Sequence, residues 1–168
     1  MRRLLDILFS FYFVIHIPAC VLIDSQAILP RWLYPSQLVR LNEWYTTTFK
    51  DTMMIDPPMW FRSFCLCEVL FQFPYFFVAA SAFWRGAAAS KWIRIPNLVY
   101  SSHVATTVVA IVAHIMFEDF SGYKHPGPET PQERLTLIGI YLPFLVIPFL
   151  MLLDALLSDA YRQKTKSN

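Results

Sequence analysis

Four long apolar runs dominate this 168-residue chain, separated by stretches where charged and turn-forming residues gather. They cover about residues 4–23 (LLDILFSFYFVIHIPACVLI), 59–84, 95–117 and 135–157. Each reaches the roughly 20 mostly apolar residues that a helix needs to cross a bilayer. The pattern predicts an all-α, polytopic membrane protein: a single four-transmembrane-helix bundle over 1–168, with 158–168 as a short tail. The first run is read as a span and not as a leader peptide. It is too long for a leader's apolar core and carries Asp6 and His16.

Charges between the runs orient the bundle. Arg2 and Arg3 precede the first run, and the second connection holds Arg85, Lys91 and Arg94 without an acid. The tail carries Arg162, Lys164 and Lys166 against Asp159. The first and third connections mix basic residues with acids. The positive-inside rule then puts both termini in the cytosol and the first and third connections in the lumen. Lys164 and Lys166 stand at the third and fifth positions from the end, in the K-x-K-x-x form of a retrieval signal to the endoplasmic reticulum. The first connection is rich in Trp, Tyr, Leu and Pro. It reads as a packed luminal cap with a helix near 35–47, not as a solvated linker.

Composition narrows the function classes. Hydrophobic residues make up 56% and charged residues only 15%, against about a quarter charged in a soluble domain. A net charge of +2 with no basic run excludes a nucleic-acid partner. Cys20, Cys65 and Cys67 are odd in number and suit no disulfide framework or Cys/His metal spacing. No metal or cofactor is expected.

Candidate chemistry lies in the polar groups within the runs, because an ionisable side chain at membrane depth is costly and usually faces the bundle interior. Glu68 and Gln72 are spaced i, i+4, on one helical face that Phe61, Phe64 and Tyr75 extend. His16, Cys20 and Asp24 repeat at i, i+4, i+8. Tyr100, His103, Thr107 and His114 form a third stripe, and Tyr141 lies on the fourth run. Stripes on separate helices satisfy one another only by converging. Pro18, Pro74, Pro143 and Pro148 each bend a helix and leave room between neighbours. A hollow lined by carboxylates and aromatics suits an apolar ligand with one cationic group. A plainer reading stays open: Glu68–Gln72 as an interhelical clamp, the histidines as packing residues, Asp6 and Asp154 as interfacial. Folding back of the cap would join Asp24 to Asp51, one of them retaining its proton.

The segments LIDSQAILPRWLYP, EWYTTTFKD, PPMWFRSF, CEVLFQFPYFF, KWIRIPNLVYSSHVATT, FEDF and ETPQERLTLIGIYLPFLVIPF together resemble the EXPERA family, in order and over nearly the whole chain. That family includes the emopamil-binding protein, a sterol double-bond isomerase. The resemblance implies a homodimeric four-helix bundle, mainly in the endoplasmic reticulum and also in lysosomal and plasma membranes. Its cavity would open to the bilayer and bind sterols, oxysterols and cationic amphiphilic drugs. The amine-binding aspartate would be Asp24, its support Asp51, and the pocket acid and amide Glu68 and Gln72. His16, Tyr45, Tyr100, Thr107 and Tyr141 would complete the pocket. A second tyrosine expected after Tyr141 is Phe144 here. The implied partners are the Niemann-Pick type C cholesterol transporter, the LDL receptor and a progesterone receptor membrane component. Three functions follow as alternatives: a non-catalytic sterol and amine receptor, favoured by the resemblance; a sterol isomerase using Glu68, Asp24, His16 or His103 as acid and base; and a ligand-free scaffold.

Overall fold

A computed structural model describes residues 2–161. The retrieval signal at Lys164 and Lys166 lies outside the described residues. Seven α-helices follow in chain order: α1 Leu4–Leu22, α2 Ser36–Phe49, α3 Thr52–Ile55, α4 Met59–Cys67, α5 Phe73–Arg85, α6 Arg94–Phe117 and α7 Pro131–Leu157. The described residues contain no strand. Four segments are long and apolar enough to cross a membrane: Leu4–Ala27, Met59–Arg85, Lys91–Phe117 and Pro131–Leu157.

The second span is interrupted. Between α4 and α5 the backbone takes a π-helical turn over Glu68–Gln72. Pro74 supplies the cause, since it offers no N–H to the carbonyl of Leu70 and its ring crowds that carbonyl. The wider turn relieves the conflict and swings the Glu68 and Gln72 side chains. The fourth span starts four residues before the predicted boundary. The Thr130 hydroxyl accepts from Glu133 N (3.2 Å) and the Glu133 carboxylate accepts from Thr130 N (3.1 Å), a reciprocal cap in front of the apolar run.

α1 packs chiefly on α5, and α6 on α7. Two apolar cores stack along the bundle. One lies toward the end where α1 starts and α7 finishes, around Phe9, Phe13, Phe76, Phe83 and Met151. The other lies under the α1–α4 connection, around Met53, Phe61, Ile111, Ile115 and Leu137. The outward face is apolar too, with Phe71 and Ile95 each at least 70% exposed, as a bilayer-facing surface requires. The α1–α4 connection folds as a cap. Its helix α2 runs two residues past the expected end. Lys50 then takes a left-handed conformation (φ 55°) that turns the chain. Directly after it, Asp51 caps α3 by accepting from Met54 N.

Asp6 and Asp154, expected near the membrane interfaces, are both buried within the protein. Arg3 joins them across the bundle, with Nη2 at 2.6 Å from Asp6 Oδ1 and Nη1 at 2.6 Å from Asp154 Oδ1. Ser158 Oγ accepts from Arg3, and the Tyr161 hydroxyl donates to Asp154. Gly86 closes this end with φ +95°, a conformation that side chains rarely adopt, and a Cβ there would sit 3.5 Å from Asp6 Oδ2.

Candidate functional site

At the junction of the two cores lies a cavity of about 100 Å³. α1 and the turn after it contribute His16 and Asp24. The second span contributes Phe61, Phe64, Cys65, Glu68 and Gln72. α6 contributes Val104, Thr107, Val108 and Ile111, and α7 contributes Tyr141 and Phe144. All four spans therefore deliver at least one polar residue to a single chamber.

His16 is fixed by rings. It stacks on Phe76 (centroids 4.6 Å apart, planes 18°) and meets Tyr12 edge-on at 5.2 Å. Phe144 lies 4.9 Å away, so the residue at the expected tyrosine position supplies a wall for this imidazole and no hydroxyl. His16 Nε2 is 3.1 Å from Glu68 Oε1. The approach is off-line, however, because Glu68 Oε1 has no hydrogen-bond partner, and neither has His16 Nδ1. Asp24 opens a 3₁₀ turn, Asp24–Ala27, at the end of α1. It makes no side-chain hydrogen bond among the described residues. Single donor atoms of His16, Asp24 and Glu68 lie within 4.8 Å of one another. Two acids and an imidazole thus meet in an apolar enclosure without satisfying one another.

Asp51 sits behind this trio and is fully buried. Its Oδ2 accepts from the hydroxyls of Tyr141 (2.7 Å) and Tyr45 (2.9 Å). Those tyrosines take the place expected for a hydrogen bond to Asp24. The α2 cap and α7 reach Asp51 first, which leaves Asp24 free to face the cavity. Burial pushes the Asp51 carboxyl above the ordinary carboxylate range, against the lowering pull of the two tyrosine hydroxyls. Burial and the nearby Asp51 likewise push Tyr45 upward.

Six of the nine predicted ligand residues line the chamber: His16, Asp24, Glu68, Gln72, Thr107 and Tyr141. Tyr45 and Asp51 support it from the cap side. Tyr100 is placed one layer away, buried, with its hydroxyl 3.2 Å from that of Tyr12 and its ring 5.2 Å from Tyr75. The rotation of α6 explains this: it turns Val104, Thr107, Val108 and Ile111 inward. Tyr100 and His103 instead border an outer groove of about 490 Å³ with Cys67, Phe71, Gln72, Tyr75 and Val99. Gln72 borders both spaces. His114 lies toward the cap, edge-on to Trp60 and Phe120, with Nδ1 3.5 Å from Glu118.

Comparison with known proteins places this geometry in a lineage. Residues 37–155 match the family described as EBP: EXPERA, the expanded EBP superfamily. The chain is 52% identical over 164 residues to Sigma intracellular receptor 2 of Xenopus tropicalis, covering 98% of this chain and 95% of that one. It is 45% identical over 168 residues to Sigma intracellular receptor 2 of Homo sapiens, covering 98% and 94%. Efficient mitochondria targeting-associated protein 19 of Schizosaccharomyces pombe is 28% identical over 155 residues, covering 91% and 75%. The chain belongs to the EXPERA family.

Proposed function

We propose that this protein is an intramembrane receptor for sterols, oxysterols and amphiphiles that carry a cationic amine, and that it regulates cholesterol homeostasis. The observation that supports it is Asp24: a carboxylate facing an aromatic-walled chamber with no side-chain partner of its own. A ligand ammonium supplies the missing counter-charge, and excluded water strengthens the pair while desolvation offsets part of the gain. Asp51, held by Tyr45 and Tyr141, keeps the chamber floor in place. Glu68, Gln72 and Thr107 offer polar contacts to a sterol hydroxyl or to the amine's substituents.

The chamber is smaller than the roughly 300–1,000 Å³ of drug-sized sites, so binding must widen it. In this reading the ligand arrives from the bilayer through the outer groove, and the π-helical turn at Gln72 yields to join the two spaces. The charge distribution supports an orientation with both termini cytosolic and the cap in the lumen. The endoplasmic reticulum, with lysosomal and plasma membranes in addition, is the proposed location. A homodimer, and links to the Niemann-Pick type C cholesterol transporter, the LDL receptor and a progesterone receptor membrane component, belong to the same proposal. Radiolabelled cationic amine binding to D24N and D51N tests it: D24N loses binding, and D51N weakens it. Full affinity in both would refute the chamber as the amine site.

A second reading has its own support. His16 and Glu68 stand 3.1 Å apart beside Asp24, an acid–base set with which double-bond migration could be run, and the matching family carries the EBP name. Incubating the purified protein with a Δ8 sterol decides it. Migration of the double bond above background establishes catalysis, and none supports the receptor.

A further inference from the structure

We infer that His16, Asp24 and Glu68 form a binding site for one divalent transition-metal ion, with zinc the best match. The site shares the chamber of the proposed receptor but does not rest on that reading, because it follows from the donor set alone.

Three side chains from α1, its terminal 3₁₀ turn and the π-helical turn bring one donor atom each to within 4.8 Å of one another. Zinc bonds to imidazole nitrogen and carboxylate oxygen at about 2.0–2.2 Å, which spaces tetrahedral donors roughly 3.4 Å apart. His16 Nε2 and Glu68 Oε1, at 3.1 Å, are already near that spacing. A small side-chain adjustment of Asp24 and Glu68 brings all three donors to the same range.

An independent observation marks the trio as awaiting a ligand. Glu68 Oε1, one of the three donors, is buried and unpaired, and His16, only 6% exposed, presents Nε2 to it at 3.1 Å without forming a hydrogen bond. A polar group left so in an apolar interior is costly unless something completes it. Charge makes the same selection. With their protons displaced by the metal, two carboxylates and a neutral imidazole would sum to −2, which a divalent cation cancels. The imidazole selects against calcium and magnesium, which take oxygen donors. Three protein ligands leave one zinc position open to water. A bound metal would occupy Asp24, so zinc and a cationic amine exclude each other.

The test uses the full-length protein, purified in detergent and stripped with a chelator. Titration with zinc chloride by calorimetry should show one site per chain, with heat that depends on the buffer because bound protons are released. H16Q, D24N and E68Q should each weaken zinc binding by at least about tenfold. H125A, in the α6–α7 connection, should leave it unchanged. Cobalt(II) in the wild-type protein should give a tetrahedral visible spectrum without a thiolate charge-transfer band, a readout that needs no variant to fold. Unsaturable zinc binding, unchanged affinity in all three variants, equal affinity for magnesium, or a thiolate band would each overturn the site. Amine binding measured in parallel separates the two readings. Retained zinc affinity without amine affinity removes only the receptor, and the reverse removes only the metal site.

Discussion

The bundle buries acids in two places and treats them in opposite ways. At the end where α1 begins, Arg3 bridges Asp6 and Asp154, Ser158 accepts from the guanidinium, and Tyr161 donates to Asp154. In the chamber, Asp24 and Glu68 face each other and His16 with no matching cation and no well-aligned hydrogen bond. Asp6 and Asp154 are the more deeply buried pair, and Asp24 and Glu68 only partly so, so burial alone does not mark a functional acid. What differs is completion: the first cluster balances itself, and the second needs something from outside. The first is a clamp that fixes α1 to the end of α7. The second is the proposed receptor site.

Substituting Asp24 should produce the largest effect. Removing one partner of a buried, hydrogen-bonded charge pair costs about 2–5 kcal/mol of binding, roughly 30- to several-thousand-fold in affinity. D24N should therefore abolish high-affinity binding of a cationic amine. It should leave the melting temperature unchanged or raised, because the amide relieves repulsion with Glu68. Radioligand saturation and thermal melting on the same preparation check both halves. A melting temperature that falls in step with affinity would make Asp24 structural and erase the contrast between the clusters.

The mirror experiment is R3M. It leaves two buried carboxylates facing each other without a cation, which costs on the order of 3–5 kcal/mol of stability. Thermal melting in detergent should show the loss, while ligand affinity per folded molecule should match the wild type. An affinity loss in the folded fraction would mean that the clamp and the chamber are coupled.

The contrast between the clusters shows what a one-dimensional pattern can carry. Apolar run length gave the four spans, because a bilayer's thickness acts on each helix separately. The convergence of His16, Asp24 and Glu68 was legible because each carries a cost that only an interior site offsets. The clamp was not, since Arg3 and Asp154 are 151 residues apart and nothing local ties them. That Tyr100 lies one layer from the chamber could not be read, because a stripe at i, i+3, i+7 fixes a face but not the helix's rotation against its neighbours. Two signals were in the chain, the first not read and the second read only as a bend. Thr130 and Glu133 form the S/T-x-x-E cap that starts α7 early. Pro74, two residues beyond Gln72, marks the widened turn that an i, i+4 spacing reads as ordinary helix.

Asp51 stands between the two kinds of acid, satisfied by hydroxyls yet without a cation. Burial holds its folded carboxyl protonated to a higher pH than in the unfolded chain. As pH rises from the ordinary carboxylate value, the unfolded state releases its proton first, so stability falls across that window. Below the window both states are protonated and burial carries no ionic cost. Above the folded value the cost is complete. D51N should flatten this part of the profile, seen as a melting temperature that gains on the wild type as pH increases. An unchanged difference across the range would show that Asp51 is already ionised in the fold.

The smallest effects should come from the two tyrosines, and they sharpen the comparison furthest. Each of Y45F and Y141F removes one hydroxyl from Asp51 Oδ2, at 2.9 and 2.7 Å. With the second hydroxyl still in place, either change should cost about 1 kcal/mol of stability. Only Tyr141 also lines the chamber. Y45F should thus lower the melting temperature and leave amine affinity alone, while Y141F lowers both. Equal affinity losses from the two would mean that the tyrosines act on the ligand only by holding Asp51. An affinity loss confined to Y141F would give its hydroxyl a direct part in the site.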